Sequence, residues 1–388
     1  MDEVRFGIIG IGNMGSTYLY KTFGEGQVQG GRVSAVCDID PSRLDGVREK
    51  LGDSIAYFSD YHEMLASGLI DAVMIETPHY IHPDIAIEAL GRGIHTLCDK
   101  PAGVYTKQVE EMNEAARRSS AVFGIMFNQR MNGVYKRMRE MIAEGAIGEL
   151  QRVNWIITDW FRTQFYYDSG SWRATWDGEG GGVLINQCPH QLDLVSWIVG
   201  EMPEAVRGFC KYGKWHDVEI EDEVTAYFEY KCGADGVFIT TTGETPGTNR
   251  LEISGSGGKL LAEGGKLIYT KNKIDGMEFL RTTDKLFGKP ETERIEVECE
   301  ACENMHAAII NNFIARILGK EELVAPGEEG VRGVELMNAI ELSGWLGGER
   351  VTLPIDGERY LALLSEKRAT SRAKTVRAVG PTCTEGSY

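Results

Sequence analysis

The chain has 388 residues, enough for two domains of ordinary size, each with its own core. Hydrophobic residues make up 42% and charged residues 26%, the balance expected of a soluble globular protein rather than a fibrous or disordered one. A net charge of -17, from 41 basic and 58 acidic residues, speaks against nucleic acid and against an anionic membrane surface as partners.

No apolar run approaches the ~20 residues of a membrane span. The N-terminus enters a strand directly, without a basic, apolar and cleavage-site sequence, so a cytoplasmic protein is expected. Eight scattered cysteines read as reduced thiols. Cys299 and Cys302 have redox or zinc spacing, but only His306 lies close to them, and no metal is expected.

Residues 4–9 are apolar and β-prone and run into Gly10-Ile11-Gly12-Asn13-Met14-Gly15, which opens a helical segment near Ser16. A bare GxGxxG means little in a chain with 47 glycines. Between a first strand and a helix it becomes a pyrophosphate cradle, with glycines for the tight turn and free amides at the helix start. A turn that only stabilises the fold is the alternative. The next strand, 33–37, ends in Asp38, about twenty residues past the last glycine, where a carboxylate accepts hydrogen bonds from an adenosine ribose. It also repels a 2′-phosphate, which favours NAD over NADP; Arg43 is the nearby group that could accommodate the phosphate.

Helices around 42–51 and 61–67 precede a third core strand, 71–75, which ends in Glu76-Thr77-Pro78-His79-Tyr80-Ile81-His82-Pro83. Pro83 suits the first turn of a helix reaching Gly91. His79 and His82 fall where the cofactor's ribose should pass, and each equally suits a helix-start histidine that caps a backbone group; for His79 the second reading is preferred. The run 93–98 is a further strand, stopped by Pro101, so Asp99 and Lys100 stand at its carboxyl end facing the ligand crevice. A lysine desolvated there has a lowered pKa and can hold a substrate hydroxyl and move its proton. The tetrapeptide alone equally fits a surface lysine after a strand.

The glycine fingerprint, Thr77-Pro78 with His82, and Asp99-Lys100-Pro101 together resemble the Gfo/Idh/MocA oxidoreductases, named for glucose-fructose oxidoreductase, inositol dehydrogenase and a rhizopine-catabolism protein. The resemblance implies an α/β fold: an N-terminal Rossmann doubly wound parallel sheet over 1–127, then a C-terminal α+β domain over 128–366 with a large open, mostly antiparallel sheet. Residues 367–388 are expected to be an extended or disordered tail. It implies that Lys100 is the catalytic lysine. It also gathers Gly10, Gly12, Asn13, Met14, Gly15, Asp38, Thr77, Pro78, His82, Asp99, Lys100 and Asn128 around the cofactor. Asp99 departs from the family's usual glutamate and reaches one methylene less far. The strand expected over 121–127 leads to the domain crossover, where the resemblance makes Asn128 a nicotinamide neighbour and Gln129 a substrate contact.

Past Gly148 the pattern changes to alternating strands at 151–158, 205–211, 223–230, 234–241, 250–254 and 258–263. In the family this open sheet is the oligomer interface, so a homodimer or homotetramer is expected. Residues 160–176 hold many aromatics and arginines. Aromatic faces stack on sugar rings and arginine forks bind hydroxyls, so Tyr166, Trp172 and Arg173 are candidate substrate contacts. The alternative is a loop packed on a neighbouring subunit.

From Gly180 an apolar helix start is interrupted by Pro189, with His190 in the apolar face. By itself such a histidine fits a satisfied core residue. The resemblance makes it the group facing the substrate hydroxyl opposite Lys100. Asn186 stands where many polyol dehydrogenases of the family carry aspartate, and is expected to orient His190 by a hydrogen bond without adding charge. Apolar helices at 306–318 and 330–345 are expected to pack back on the sheet or the first domain.

The combined expectation is an NAD-dependent dehydrogenase transferring a hydride between nicotinamide and a ring secondary alcohol of a sugar, polyol or glycoside, C3 of a glucoside among the candidates. Two alternatives stand beside it. One is a redox-neutral enzyme that keeps NAD bound and transforms glycosides through a keto intermediate, with Tyr166 or Tyr167 as a further base. The other is a non-catalytic NAD or sugar sensor.

Overall fold

In the computed structural model, which describes residues 3–374, 376 and 377, strands and helices alternate through the first domain. They are β1 (Val4–Ile9), α1 (Asn13–Thr17), β2 (Gly31–Cys37), α2 (Pro41–Leu51), β3 (Ala56–Phe58), α3 (Tyr61–Ala66), β4 (Ala72–Ile75), α4 (His82–Gly91), β5 (His95–Cys98), α5 (Thr106–Arg118) and β6 (Phe123–Ile125). The six strands are parallel in the order β3-β2-β1-β4-β5-β6. The order reverses between β1 and β4, which opens a crevice at their carboxyl ends. All four residues of β4 are buried, as a strand covered on both faces requires.

Helix starts follow their caps. Asp40 accepts from Ser42 N at 2.9 Å with Pro41 in the first turn of α2, and Asp60 accepts from His62 N at 2.8 Å at α3. Edge strand β3, three residues long, was too short to show an alternation. The strand expected over 121–127 shortens to β6, because Asn128–Met131 closes a 3₁₀ turn immediately after it.

The second domain contains α6 (Gly133–Ala143), β7 (Leu150–Ile157), α7 (Gln164–Asp168), α8 (Val183–Asn186), α9 (Pro189–Val199), β8 (Ala205–Tyr212), β9 (Glu221–Glu229), β10 (Asp235–Thr241), β11 (Asn249–Gly255), β12 (Gly258–Glu263), β13 (Lys266–Asn272), α10 (Gly276–Thr282), β14 (Thr292–Val297), α11 (Met305–Ile317), α12 (Gly330–Trp345), β15 (Val351–Thr352) and α13 (Gly357–Ala369). Its sheet runs β14-β13-β12-β11-β7-β10-β9-β8-β15, antiparallel except for the β7–β10 pair. Alternate residues of β9 and β12 are buried, so one face packs inward, and α12 lies against β8 and α9. Strand β14 (TERIEV) escaped the sequence reading because no residue of it is buried.

Helix α11 returns to the first domain, where Phe313 meets Phe6 at a ring-centroid distance of 6.4 Å and packs on Gly124. The region expected to be a tail from 367 begins inside α13. Beyond it Arg372 N donates to Glu219 Oε2 at 2.8 Å, Lys374 Nζ to Arg173 O at 3.0 Å, and Arg377 pairs with Asp168 at 3.1 Å. The rest of that expected tail, 375 and 378–388, lies outside the described residues. Among the described residues no helix is long and apolar enough to cross a membrane.

Candidate active site

The glycine turn is as tight as its sequence requires. Gly10 has φ +94°, and a Cβ there would lie 2.5 Å from Glu76 O; at Gly15 it would lie 1.9 Å from Gly10 O. Gly12 instead faces open space, its nearest neighbour for a Cβ being Arg43 Nη1 at 3.9 Å, which leaves room for a pyrophosphate. Asn13 and Met14 begin α1 immediately after it. Asp38 sits at the end of β2, its Oδ2 accepting from Ile11 N at 2.7 Å and its Oδ1 from Asp40 N at 2.9 Å. Arg43 Nη1 pairs with the same carboxylate at 3.2 Å, so its charge is already partnered. At the neighbouring strand ends Thr77 Oγ1, Asn128 Oδ1 and both carboxyl oxygens of Glu76 are buried with no protein partner. These groups fit a dinucleotide laid across β1, β4 and β6, since buried polar atoms are normally satisfied.

Lys100 reaches across the domain boundary, its Nζ donating to Asn186 O at 3.0 Å. Burial lowers its pKa, against the opposing pull of Asp99. Asn186 closes the four-residue helix α8, whose start is pinned by Glu221: Oε1 accepts from Gly182 N at 2.9 Å and Leu184 N at 3.1 Å. Burial pushes the Glu221 carboxyl up to about 7.

The expected hydrogen bond from Asn186 to His190 is not made. Pro189 starts a new helix, so the four-residue spacing does not run along one helix. The Asn186 amide donates to Glu179, and its Oδ1 accepts from Tyr166 Oη at 3.2 Å and Gln187 Nε2 at 3.1 Å. His190 packs edge-on to Phe127 with its Nδ1 unpartnered. Burial, then the charges of Lys100 and His306, hold its pKa well below the ordinary histidine range, so the ring is neutral at pH 7.

The aromatic loop folds onto this point. Arg173 Nη1 donates to Tyr166 Oη at 2.8 Å, and its guanidinium lies over the Tyr166 and Trp172 rings at 4.7 and 4.6 Å. Trp172 meets His79 edge-on at 5.5 Å, and His79 Nδ1 lies 3.2 Å from Glu179 O, a backbone group 100 residues on rather than one at the start of its own helix. Gln129 follows Asn128 in the same turn and is half-buried. Tyr167, a candidate base in the redox-neutral alternative, donates to Thr242 Oγ1 at 2.8 Å and is buried in the core. Burial also raises the Tyr166 phenol, which disfavours a tyrosinate there.

His82 was expected to line the cofactor. Its two ring nitrogens instead face Thr77 O at 2.6 Å and Pro101 O at 2.9 Å, so it ties the β4 and β5 ends together. Sequence reasoning missed Glu76, Glu179 and Glu221, and the pairing of Tyr18 with His306 across 2.8 Å. Glu76 stood beside Thr77-Pro78 in plain sight; the others reach the site only through the fold.

A dinucleotide crevice at the carboxyl ends of a doubly wound parallel sheet, beside a second domain with a mostly antiparallel sheet, defines the class of this protein as an NAD-binding oxidoreductase. The chain belongs to the Gfo/Idh/MocA family: residues 4–127 match the oxidoreductase family's NAD-binding Rossmann fold, and residues 135–261 match the GFO/IDH/MocA C-terminal domain. It is 26% identical over 266 residues to myo-inositol 2-dehydrogenase of Thermotoga maritima, covering 67% of this chain and 75% of that one. To the rhizopine catabolism protein MocA of Rhizobium meliloti it is 29% identical over 208 residues, covering 53% and 61%. The crystal structure of the WlbA dehydrogenase from Bordetella pertussis in complex with NADH and UDP-GlcNAcA is similar at a TM-score of 0.75 and 25% identity, covering 91% of this chain and 100% of that chain.

Asp38→Ala removes a carboxylate that braces the turn and stands at the strand end where an adenosine ribose is expected. NADH affinity measured by fluorescence is expected to fall roughly tenfold to a hundredfold, the size of a charge-assisted hydrogen bond, while NADPH affinity falls less or rises. Equal losses for both cofactors would remove Asp38 from cofactor choice.

Proposed function

We propose that this protein is a dehydrogenase moving a hydride between NAD and a ring secondary alcohol of a sugar, polyol or glycoside, C3 of a glucoside included. The observation that carries this is a half-buried Lys100 tethered to Asn186 O and close enough for its charge to act on the buried His190, whose ring is neutral with a free Nδ1. Bound NAD supplies the hydride acceptor. Lys100 spends one N–H on Asn186 and keeps the rest of its ammonium for the substrate oxygen. Its lowered pKa makes the neutral amine accessible, and that amine takes the hydroxyl proton as the C–H bond breaks; the ammonium so formed returns it in the reverse direction. His190, neutral at pH 7, is the second group able to exchange that proton. Tyr166, Trp172 and Arg173, stacked on one another, form the aromatic and basic wall proposed to meet the ring, and the relatives named for inositol and rhizopine metabolism support a polyol-like substrate.

Mixing the protein with NAD and a panel of inositols, hexoses and glucosides tests the reading by near-ultraviolet absorbance. Reduced nicotinamide should accumulate with one substrate class. Sugar consumed with no reduced nicotinamide would favour a redox-neutral cycle instead. His190 takes its proton only well below pH 6.5, so the acid limb it contributes to the kcat profile lies below that value, and His190→Asn should lose that limb. An acid limb near 6.5 that survives this substitution would contradict His190's role.

The second sheet exposes Phe209 on β8 and Ile295 on β14, with Trp215 exposed in the loop after β8, apolar surface that suits pairing with a second copy of the chain, measurable by sedimentation.

A further inference from the structure

The mechanism leaves unused the carboxyl of Glu76. Ile75 and Cys98 are partners in the β4–β5 ladder, and Asp99 N continues it by donating to Ile75 O at 3.0 Å. Glu76 and Asp99 are therefore the next pair, with their side chains on the same face of the sheet. On the other side Glu76 N donates to Ile9 O at 2.8 Å, and Glu76 O underlies Gly10. Glu76 thus stands between the glycine turn and Lys100. A dinucleotide that starts at the first and reacts beside the second must cross it.

We propose that Glu76 and Asp99 form a one-proton carboxyl pair that senses the charge of the nicotinamide, so that NAD⁺ binding expels a proton and NADH binding does not. This rests on the reading that hydride transfer takes place beside Lys100. Neither oxygen of Glu76 meets a protein donor. Two adjacent carboxyls do not readily both ionise, and burial and Asp99 hold the Glu76 pKa well above the carboxylate range. The other charged or titratable groups facing the pair are Tyr18, His82, Cys98, Lys100 and His306. Asn128 Oδ1, also unpartnered in a residue only 4% exposed, stands in the turn after the neighbouring strand β6 and marks the same crevice as a ligand path.

The sign follows from charge. The oxidised ring is cationic and favours the doubly ionised pair, so NAD⁺ lowers the affinity of Glu76 for its proton. NAD⁺ affinity then rises with pH until the free pair is fully ionised, by at most about tenfold per pH unit for one linked proton. The reduced ring is neutral and lacks this dependence, so alkaline pH favours the oxidised complex and acid pH the reduced one.

Isothermal titration of the full chain with NAD⁺ and with NADH, in buffers of different ionisation enthalpy from pH 6 to 9, reads the protons directly. The expected result is release of up to about one proton with NAD⁺ and little with NADH, per the linkage above. Glu76→Gln should abolish the difference while still binding NADH, and Asp99→Asn serves the same purpose should the first variant fold poorly. Equal proton release for both cofactors, or a difference that persists in Glu76→Gln, would overturn the inference alone. Failure of the native chain to bind either cofactor would overturn the function reading and this inference with it.

Discussion

Replacing Lys100 with methionine is expected to lower turnover by about 10²–10⁴-fold, the usual contribution of a positioned acid–base group, while NADH binding measured by fluorescence changes only a few-fold. Methionine keeps the apolar stem and loses the ammonium, so Asn186 O loses its donor and the substrate oxygen loses its proton partner. Lys100→Arg should not restore activity. A guanidinium keeps its proton at every working pH, and its planar fork does not replace the compact ammonium that meets Asn186 O. Steady-state rates with the best sugar of the panel, beside the cofactor titration, separate chemistry from binding. Turnover within tenfold of the native enzyme in Lys100→Met would remove the lysine from the mechanism.

The largest stability loss is expected at Arg130. Its side chain and that of Asp193 are each 1% exposed, and they meet as a fork, Nε to Oδ2 at 2.8 Å and Nη2 to Oδ1 at 2.6 Å. Arg130 Nη1 adds Val324 O at 3.0 Å and Glu329 at 2.5 Å. The residue therefore ties the crossover turn that carries Asn128 to α9, which carries His190, and to the start of α12. Arg130→Met leaves the Asp193 charge buried without its partner, a change that typically costs about 3–5 kcal/mol. Urea unfolding should show that loss at pH 7.

The deficit should shrink at acid pH. Burial already raises the Asp193 pKa against the pull of Arg130, and without the arginine it rises further, so protonation relieves the unpaired charge. The double variant Arg130→Met with Asp193→Leu should recover part of the stability. A loss below about 1 kcal/mol would show the pair to be worth no more than a surface bridge.

Much of the nucleotide domain was legible because its signals are local. A buried strand, glycines at fixed spacing, a carboxylate at the next strand end and a proline after Lys100 each state a backbone requirement within a few residues. The second domain was legible where one face is covered, as in β9 and β12, and illegible where both faces are open, as in β14. The site was legible at its landmarks but not in its wiring. Asn186 and His190 lie four apart in sequence, and only the break at Pro189 shows that Asn186 serves Lys100 and Glu179 instead. Glu221 reaches α8 from a strand about forty residues on, and His306 meets Tyr18 across 288 positions; neither leaves a periodic or motif-like trace. Glu76 was readable but unread, because its meaning depends on Asp99 lying beside it in the parallel ladder.

The most direct test of the central claim is to supply the best sugar or polyol of the panel with deuterium on its reacting carbon, together with NAD, and to examine the recovered cofactor by mass spectrometry. Deuterium carried into the reduced nicotinamide, and absent with Lys100→Met, is the predicted result. Substrate converted while the deuterium stays in the sugar and the cofactor is recovered oxidised would contradict a dehydrogenase and point to a cycle in which the hydride is returned.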